Sequence, residues 1–434
     1  MTADWPVAEK GVPILPDQEY LTVAQALNYI LASTPVLDSE TVSLPEARGR
    51  VLSSSVVAQD SLPPFANSAM DGYAVRADDV DRASRANPTT LQVIADISAG
   101  TALETTVGPG TAARITTGAP IPVGADAVVP VEETNESWRD RARPLATKIQ
   151  IYRSVPPGAY IRETGEDIVA GSQVLRSQRV LRPQEIGVLA SLGVTQVEVN
   201  RRPRAGILAT GDELVSIDAP LTAGKIRNSN SYALAAQVEA AGAIPVHLGV
   251  ARDVAEDVRA KLARGVELGV DLLISSAGVS VGAYDVVKAV LEQNGQIAFW
   301  KVRMRPGKPL AYGTYQGIPY FGLPGNPVSA LVSFERFTRP TLRKMGGHQE
   351  LERPRVTVTL QETIDSDGRE SYIRAQVKRE GASYTATTTG EQGSHMLTSL
   401  VKANGLIVIP EGVQQVEAGE RLEAVMLDWP ETVF

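Results

Sequence analysis

Five short segments of this chain gather groups that handle phosphate and metal ions. Gly211-Asp212-Glu213, Arg252-Asp253 and the run Ala277-Gly278-Val279-Ser280-Val281-Gly282 that ends at Asp285 bring carboxylates. Lys301, Arg303, Arg305 and Lys308 form a basic group, and Gly322-Leu323-Pro324-Gly325-Asn326-Pro327 is a glycine loop feeding a helix start. Glycine-rich loops leave backbone N–H groups free to face an anion. Carboxylates beside cations and anion nests suit phosphate esters with Mg²⁺, which favours one or two carboxylates plus substrate oxygens and water. The chemistry that fits is phosphoryl or nucleotidyl transfer, or cleavage of a phosphoanhydride. Each piece alone also has a structural use. Asp285 is placed to cap a helix, Asp212 and Asp253 can cap helices or make loop ion pairs, and Asn326-Pro327 starts a helix whatever it binds. Lys301 and Arg303 alternate on a strand, so one of each adjacent pair can simply face solvent. The functional reading rests on convergence at one edge.

Composition removes competing chemistries. There is no cysteine, which excludes disulfides, thiolate zinc sites, iron–sulfur clusters and cysteine nucleophiles. The 3 histidines, His247, His348 and His395, lie far apart, which argues against a Ser-His-Asp hydrolase or a His-rich metal site. With 42 basic and 50 acidic residues the net charge is −8, against a nucleic-acid coat, so no nucleic-acid partner is expected. The N-terminus has no basic segment followed by an apolar core, and no apolar run approaches the ~18 residues of a membrane span. A soluble, cytoplasmic protein without membrane insertion is expected. The 434 residues suggest about three domains at roughly 150 residues each. With 43% hydrophobic but only 5% aromatic residues, the cores must be built mainly from Val, Leu, Ile and Ala.

The elements that must position these groups follow from periodicity. Val23, Leu27, Ile30 and Leu31 recur at helical spacing, and Pro45 opens a second short helix. Residues 61–155 carry Gly, Pro and short β-type runs and read as an inserted β domain. Residues 156–203 return to the first layer, with a helix over Arg182–Leu192. From Arg204 strands alternate with helices, which means an open, mostly parallel α/β sheet. The strands are 204–210, 244–249, 270–275 and 297–302. The helices are 231–241, capped by Asn230 with Gly242 after its end, 254–264, 286–293 capped by Asp285, and a last one from Asn326 toward Lys344. Gln316-Gly317 turns a hairpin. After Pro354 only strands follow, at 355–360, 371–377, 406–409 and 421–427. The expected division is 20–60 with 156–203, 61–155, 204–350, and a β-barrel over 351–434. In an open parallel sheet ligands bind beyond the carboxyl ends of the strands, where the five segments lie.

Seven motifs in order then carry a resemblance across nearly the whole chain. They are LPPFANSAMDGYAV at 62–75, RITTGAPIPVG at 114–124, RETGEDI at 162–168, TGDEL at 210–214, GVSVG at 278–282, PGKP at 306–309 and GLPGNPVS at 322–329. Together they resemble the MoeA family of molybdopterin molybdenumtransferases, related to the gephyrin E domain. The resemblance implies an elongated multi-domain α/β chain with an inserted β lid, a molybdopterin-binding α/β domain and a C-terminal β-barrel. It implies a homodimer with the active cleft between subunits. It also implies Mg²⁺-dependent insertion of molybdate into adenylylated molybdopterin with release of AMP.

Carried over residue by residue, the family's functional positions fall on Asp71, Thr117, Arg162, Asp167, Glu213, Asp253, Asp285, Lys301, Arg305 and Ser394. Glu213, Asp253 and Asp285 are expected at Mg²⁺ and the phosphate edge, with Asp71 and Asp167 supplied by the partner subunit. Lys301, Arg305 and Lys308 are expected to hold phosphate and molybdate oxyanions. Ser275, Gly278, Val279, Ser280, Pro324 and Asn326 are expected at the pterin or phosphate.

Two positions depart from the family pattern. Ala277 stands where it has glycine, adding a Cβ to a loop that approaches ligand. Arg305 stands where it has lysine, exchanging a compact ammonium for a larger fork. The resemblance also admits a gephyrin-like scaffold that binds a receptor or cytoskeletal peptide near the C-terminal domain. The tail Met426-Leu427-Asp428-Trp429-Pro430, with Val433 and Phe434 beyond, is where such a groove would be marked; the simpler use of Trp429 is to close the barrel.

Overall fold

The computed structural model describes residues 20–101, 104–136, 145–276 and 283–429, with residues 283–285 and 300 described by their backbone alone. The chain divides into two compact units, one of Met1–Val42, Gly49–Ser53 and Glu198–Phe434, the other of Ser43–Arg48 and Ser54–Val197.

The first helix, α1 (Val23–Ala32), opens on a capping box. Thr22 accepts from the Gln25 backbone N–H, and Gln25 reaches back to the Thr22 N–H. Its buried stripe is Val23, Ala26, Leu27 and Ile30, the i, i+3, i+4, i+7 spacing read from the sequence.

The second unit is built on five strands: β1 (Gly72–Val75), β2 (Thr89–Ile97), β3 (Thr111–Ile115), β4 (Ala127–Pro130) and β5 (Lys148–Ile151). Their order is β4-β1-β3-β2-β5. Gly72 sits where β1 presses on β4. A Cβ there would meet the Val129 carbonyl oxygen at 2.0 Å, so no larger residue fits that contact. Helix α2 (Pro183–Ser191) starts with a proline at its first turn and closes this unit's chain.

In the other unit, β6 (Arg204–Thr210), α3 (Ser229–Ala240), β7 (Ile244–Ala251), α4 (Ala255–Glu267), β8 (Leu272–Ser276), α5 (Ala283–Asn294), β9 (Gly295–Lys301), the short β10 (Met304–Arg305), β11 (Pro309–Tyr315) and β12 (Ile318–Leu323) follow one another. All but β10 of the strands form one sheet in the order β7-β6-β8-β12-β11-β9. β7, β6, β8 and β12 are parallel, while β11 is antiparallel to both β12 and β9. β9 therefore runs in the same direction as the four parallel strands. Ala205 and Ile207 of β6 face a core shared with α3 and the last helices. Leu208 faces the opposite core with α4 and α5. Burial on both faces explains why these strands read as unbroken apolar runs. Gln316 and Gly317 join β11 to β12 with φ of 49° and 82°, as a two-residue hairpin requires.

Two expected caps move. Helix α3 begins at Ser229 and is capped by Asn228, whose side chain accepts from the Ser231 N–H. Asn230 instead donates to the Gly325 carbonyl at 2.8 Å. Asp285 is not a cap, because α5 already begins at Ala283 and places it in the first turn. The last helix comes in two parts, α6 (Pro327–Ser333) and α7 (Arg339–Met345), joined by a π-helical turn over Phe334–Thr338. Pro340 supplies no N–H at that junction, where a widened turn relieves the missing bond.

The C-terminal strands are β13 (Arg355–Leu360), β14 (Glu370–Glu380), β15 (Ser383–Thr388), β16 (Gly405–Ile409) and β17 (Arg421–Met426). The ring β14-β15-β13-β17-β16 closes through β16 on β14, a five-stranded barrel. Strand β15 has no counterpart in the sequence reading, since SYTATT is too polar to stand out. Among the described residues no helix is long and apolar enough to cross a membrane.

Candidate active site

Because β9 runs with β6, β7, β8 and β12, the described segments after β6, β7, β9 and β12 lie at one sheet edge. Sheet order distributes their charge. Acidic loops follow β7 and β6 at one end, the basic segment follows β9 at the other, and the glycine loop follows β12 between them. Five strand intervals, about 24 Å at the usual spacing, separate the extremes. That is the reach of an extended ligand, not of a single ion.

At the acidic end Gly211 has φ 143°, and the Glu213 carboxylate folds over it. An added Cβ would lie 2.5 Å from a Glu213 oxygen. Asp253 is half-buried, and its carboxyl is held above the usual range by burial and by neighbouring Asp212 and Glu213. Arg252 does not relieve this crowding, since it turns to Asp257, with its N–H 2.9 Å from Oδ2. Lys225 is spent on the Asp212 carbonyl at 2.5 Å.

A cleft of about 490 Å³ runs from Glu213 past Asn228–Asn230, Ser276 and Pro324–Pro327 to Pro309. It takes in Glu213, Pro324 and Asn326 of the expected residues. The N-terminus of α3 opens into it, so unpaired backbone N–H groups line a wall. Ser275 is corrected here. It is fully buried, with its hydroxyl hydrogen-bonded to the Tyr320 hydroxyl in the core, and the next residue, Ser276, lines the cleft. Asn228 and Ser229 also line it and were not singled out from the sequence, although the run Asn228-Ser229-Asn230-Ser231 is rich in short polar side chains. Gly278, Val279 and Ser280, with Ala277, lie outside the described residues, as do Pro430, Val433 and Phe434.

At the basic end the Lys301 and Lys308 ammonium groups lie 5.0 and 5.2 Å from the centre of the Tyr20 ring. Strand β10 pairs Arg305 with Ser371 of the barrel strand β14. Arg303 forms an ion pair with Glu411 at 2.8 Å, which gives it the structural use that strand alternation allowed. The Ser394 carbonyl accepts from the Val328 N–H at 3.1 Å, setting that loop against the start of α6. Beneath it lies Arg374, fully buried, its fork on Ser399 Oγ and the Gly393 carbonyl, each at 3.1 Å. Burial first, then Arg305, pushes its pKa down to about 10. Arg369, whose Nη1 donates to the Met304 carbonyl at 3.2 Å, is a further cation of this region. Neither arginine was singled out from the sequence; Arg374 lies on β14 and Arg369 just before it, and neither stands out by spacing.

The second unit holds a separate constellation. Thr117 donates both its N–H, at 2.7 Å, and its hydroxyl, at 2.9 Å, to Asp71 Oδ1. Segments 62–71, 116–121 and 160–168 are laced together by backbone bonds. Asp167 donates to the Leu62 carbonyl at 3.0 Å, Gly118 to Ser68 at 2.8 Å and Ala69 to Tyr160 at 2.8 Å. Asn67 pairs with Arg162 across two short strands. Asp71, Thr117, Arg162 and Asp167, spread over 97 positions by the difference 167 − 71 + 1, are thus brought into one group of loops.

The donor set suits a hard cation held in part by substrate. Asp253 lies close enough to Asp212 and Glu213 for their charges to raise its pKa. Among the described residues no three His, Asp or Glu side chains form a metal site. Carboxylate oxygens are the protein ligands that Mg²⁺ takes beside substrate oxygens and water.

Residues 21–193 match the MoeA N-terminal region (domain I and II), 206–344 a probable molybdopterin binding domain, and 357–427 the MoeA C-terminal region (domain IV). The chain is 43% identical over 390 residues to molybdopterin molybdenumtransferase 2 of Mycobacterium tuberculosis, covering 88% of this chain and 94% of that one. It is 39% identical over 428 residues to molybdopterin molybdenumtransferase of Nostoc, covering 96% of each. The crystal structure of a molybdopterin biosynthesis MoeA protein from Pyrococcus horikoshii superposes with a TM-score of 0.78 at 30% identity, over 94% of this chain and 100% of that one. With three consecutive regions matched and relatives this similar along nearly their whole length, the chain belongs to the MoeA family.

Proposed function

We propose that this chain is a molybdopterin molybdenumtransferase of molybdenum cofactor biosynthesis, acting on adenylylated molybdopterin and molybdate and releasing AMP. The observation that carries the reading is the polarity of the sheet edge. A sheet edge with carboxylates after β6 and β7 and cations after β9 suits a long substrate with a nucleotide phosphate to be cleaved and a small dianion to be received. Glu213, Asp253 and Asp285 would hold Mg²⁺, which when bound screens the phosphate charge and polarises its oxygens. Lys301, Arg305 and Lys308 bind and orient molybdate, a tetrahedral dianion, through charge-assisted contacts. Ser394 adds a contact at the loop set against α6. The cleft wall of Asn228, Ser276, Pro324 and Asn326 orients the pterin, together with the segment 278–280.

We read the working form as a homodimer in which Asp71, Thr117, Arg162 and Asp167 of one chain complete the site of the other. In a two-fold dimer each such site takes groups from both subunits. Mixing Asp71→Asn and Asp285→Ala subunits then restores about one quarter of full activity, since half the dimers are mixed and each mixed dimer has one intact site. No recovery, or a monomeric mass, removes the shared site. The chain reads as four parts with the divisions 20–60 plus 156–203, 61–155, 204–350 and 351–434.

The deciding experiment measures AMP release from adenylylated molybdopterin with and without molybdate and Mg²⁺. Release that depends on both supports the transferase and shows that Ala277 and Arg305 are tolerated. Binding without turnover, or no binding, overturns it.

A further inference from the structure

The basic end of the sheet edge brings two lysine ammonium groups to one aromatic ring. Two ammonium groups meant for one small dianion repel each other whenever the dianion is absent. Tyr20 stands at that point. Its ring lies 5.0 Å from Lys301 Nζ and 5.2 Å from Lys308 Nζ, both inside the range at which a cation is held by an aromatic face. The chain that follows the ring is anchored. Leu21 is buried and bridges Val302 just past β9, accepting from the Arg303 N–H at 2.8 Å, and Thr22 caps α1. The two lysines are tied to each other as well, because the Val302 N–H donates to the Lys308 carbonyl at 3.1 Å.

We infer that Tyr20 is a positioning residue for oxyanion recognition, a shared aromatic platform that holds Lys301 and Lys308 together and ready for a tetrahedral dianion. This rests on the reading of the basic end as the molybdate site. The negative face of the ring offsets the repulsion between the ammonium groups and limits the orientations they explore. A dianion then meets two pre-placed cations. The phenol hydroxyl plays no part in that role, so phenylalanine should replace tyrosine and leucine, of similar apolar bulk but without the ring quadrupole, should not.

The experiment compares the full-length parent, Tyr20→Phe and Tyr20→Leu by two readouts. The first is acylation of individual lysines by an amine-reactive ester, read by mass spectrometry, with Lys261 and Lys402 as internal standards. The ring holds both amines against its face and so keeps them from the reagent. Lys301 and Lys308 should label about threefold to tenfold faster in Tyr20→Leu, and at the parent rate in Tyr20→Phe. The second is molybdate affinity by calorimetry, which should fall about fivefold in Tyr20→Leu and stay within about twofold in Tyr20→Phe. A merely structural role for Tyr20 would shift the thermal midpoint without separating Phe from Leu in lysine labelling. Unchanged labelling in Tyr20→Leu overturns the inference whatever the binding result. Faster labelling in Tyr20→Leu together with a parent that binds no molybdate instead retires the oxyanion reading of this end, and with it Tyr20's part in recognition.

Discussion

Glu185 at the start of α2 and Asp253 after β7 are carboxylates in opposite surroundings. Glu185 is buried, yet it accepts from the Arg182 N–H at 3.0 Å, from Arg182 Nη2 at 2.6 Å and from Arg179 Nη2 at 2.6 Å. The Arg182 side chain chiefly, with Arg179, carries its pKa down to about 2 despite burial. Asp253 has carboxylates for neighbours, and its pKa moves up. The first group is fully served by the protein. The second has its charge opposed by burial and by Asp212 and Glu213, which on the proposed reading a bound divalent ion would offset. The contrast separates a carboxylate that holds the fold from one held in reserve by the fold.

The largest effect expected from this contrast is on turnover. Asp253→Asn, Glu213→Gln and Asp285→Ala should each lower molybdate-dependent AMP release by about a hundredfold or more, the scale of losing one preorganised electrostatic contact. Asp253→Asn should not lower the thermal midpoint, because it removes repulsion. A variant that keeps its turnover, or unfolds early, breaks the assignment.

Glu185→Gln should do the reverse. AMP release per folded molecule stays at the parent level, while stability at pH 7 falls by up to about 3 kcal/mol, the free-energy equivalent of the depressed pKa. The sign follows from linkage. A carboxylate with a folded pKa of about 2 stabilises above its unfolded value near 4.5 and loses that contribution as pH falls toward 2. Denaturant titrations of parent and variant should therefore converge between those values. Curves that stay parallel to pH 2 would mean the arginines contribute by packing alone.

Much of this was legible in the sequence, for identifiable reasons. Strand Arg204–Thr210 has the expected bounds because an unbroken apolar run buried on both faces has sharp ends. The same double burial hid which of Ser275 and Ser276 faces the cleft, since alternation disappears where both faces are covered. Asn228 and Asn230 are equivalent as caps by type, and only the Gly325 carbonyl distinguishes them. Asp71 and Thr117 are 46 positions apart, so only family resemblance, not spacing, put both in the site. Tyr20 was invisible because one aromatic before a helix has no period.

Metal binding sharpens the comparison at a smaller scale. Mg²⁺ that binds the folded chain at the acidic end stabilises it by RT ln(1 + [L]/Kd), about 1–3 kcal/mol at tens to a hundred times Kd. A rise of a few degrees in thermal midpoint is expected for the parent and for Glu185→Gln. None is expected for Asp253→Asn, Glu213→Gln or the parent in excess chelator. An equal rise in all of them would place the ion elsewhere.

The smallest effect expected is at the other end of the sheet. Arg305 keeps a charge where the family has lysine, lies close enough to Asp367 to help hold that carboxyl low, and is carried on a strand paired with the barrel. Several cations share the work there, whereas the acidic end offers two or three carboxylates for one ion. Arg305→Lys preserves charge and gives up only the fork. It should change the molybdate KM by less than about threefold, and Arg305→Met by about tenfold. If instead Arg305→Lys costs as much as Arg305→Met, the bidentate geometry carries recognition. The basic end would then be a shaped site in which position counts as much as charge, and the two ends of the sheet edge would differ in sign but not in kind.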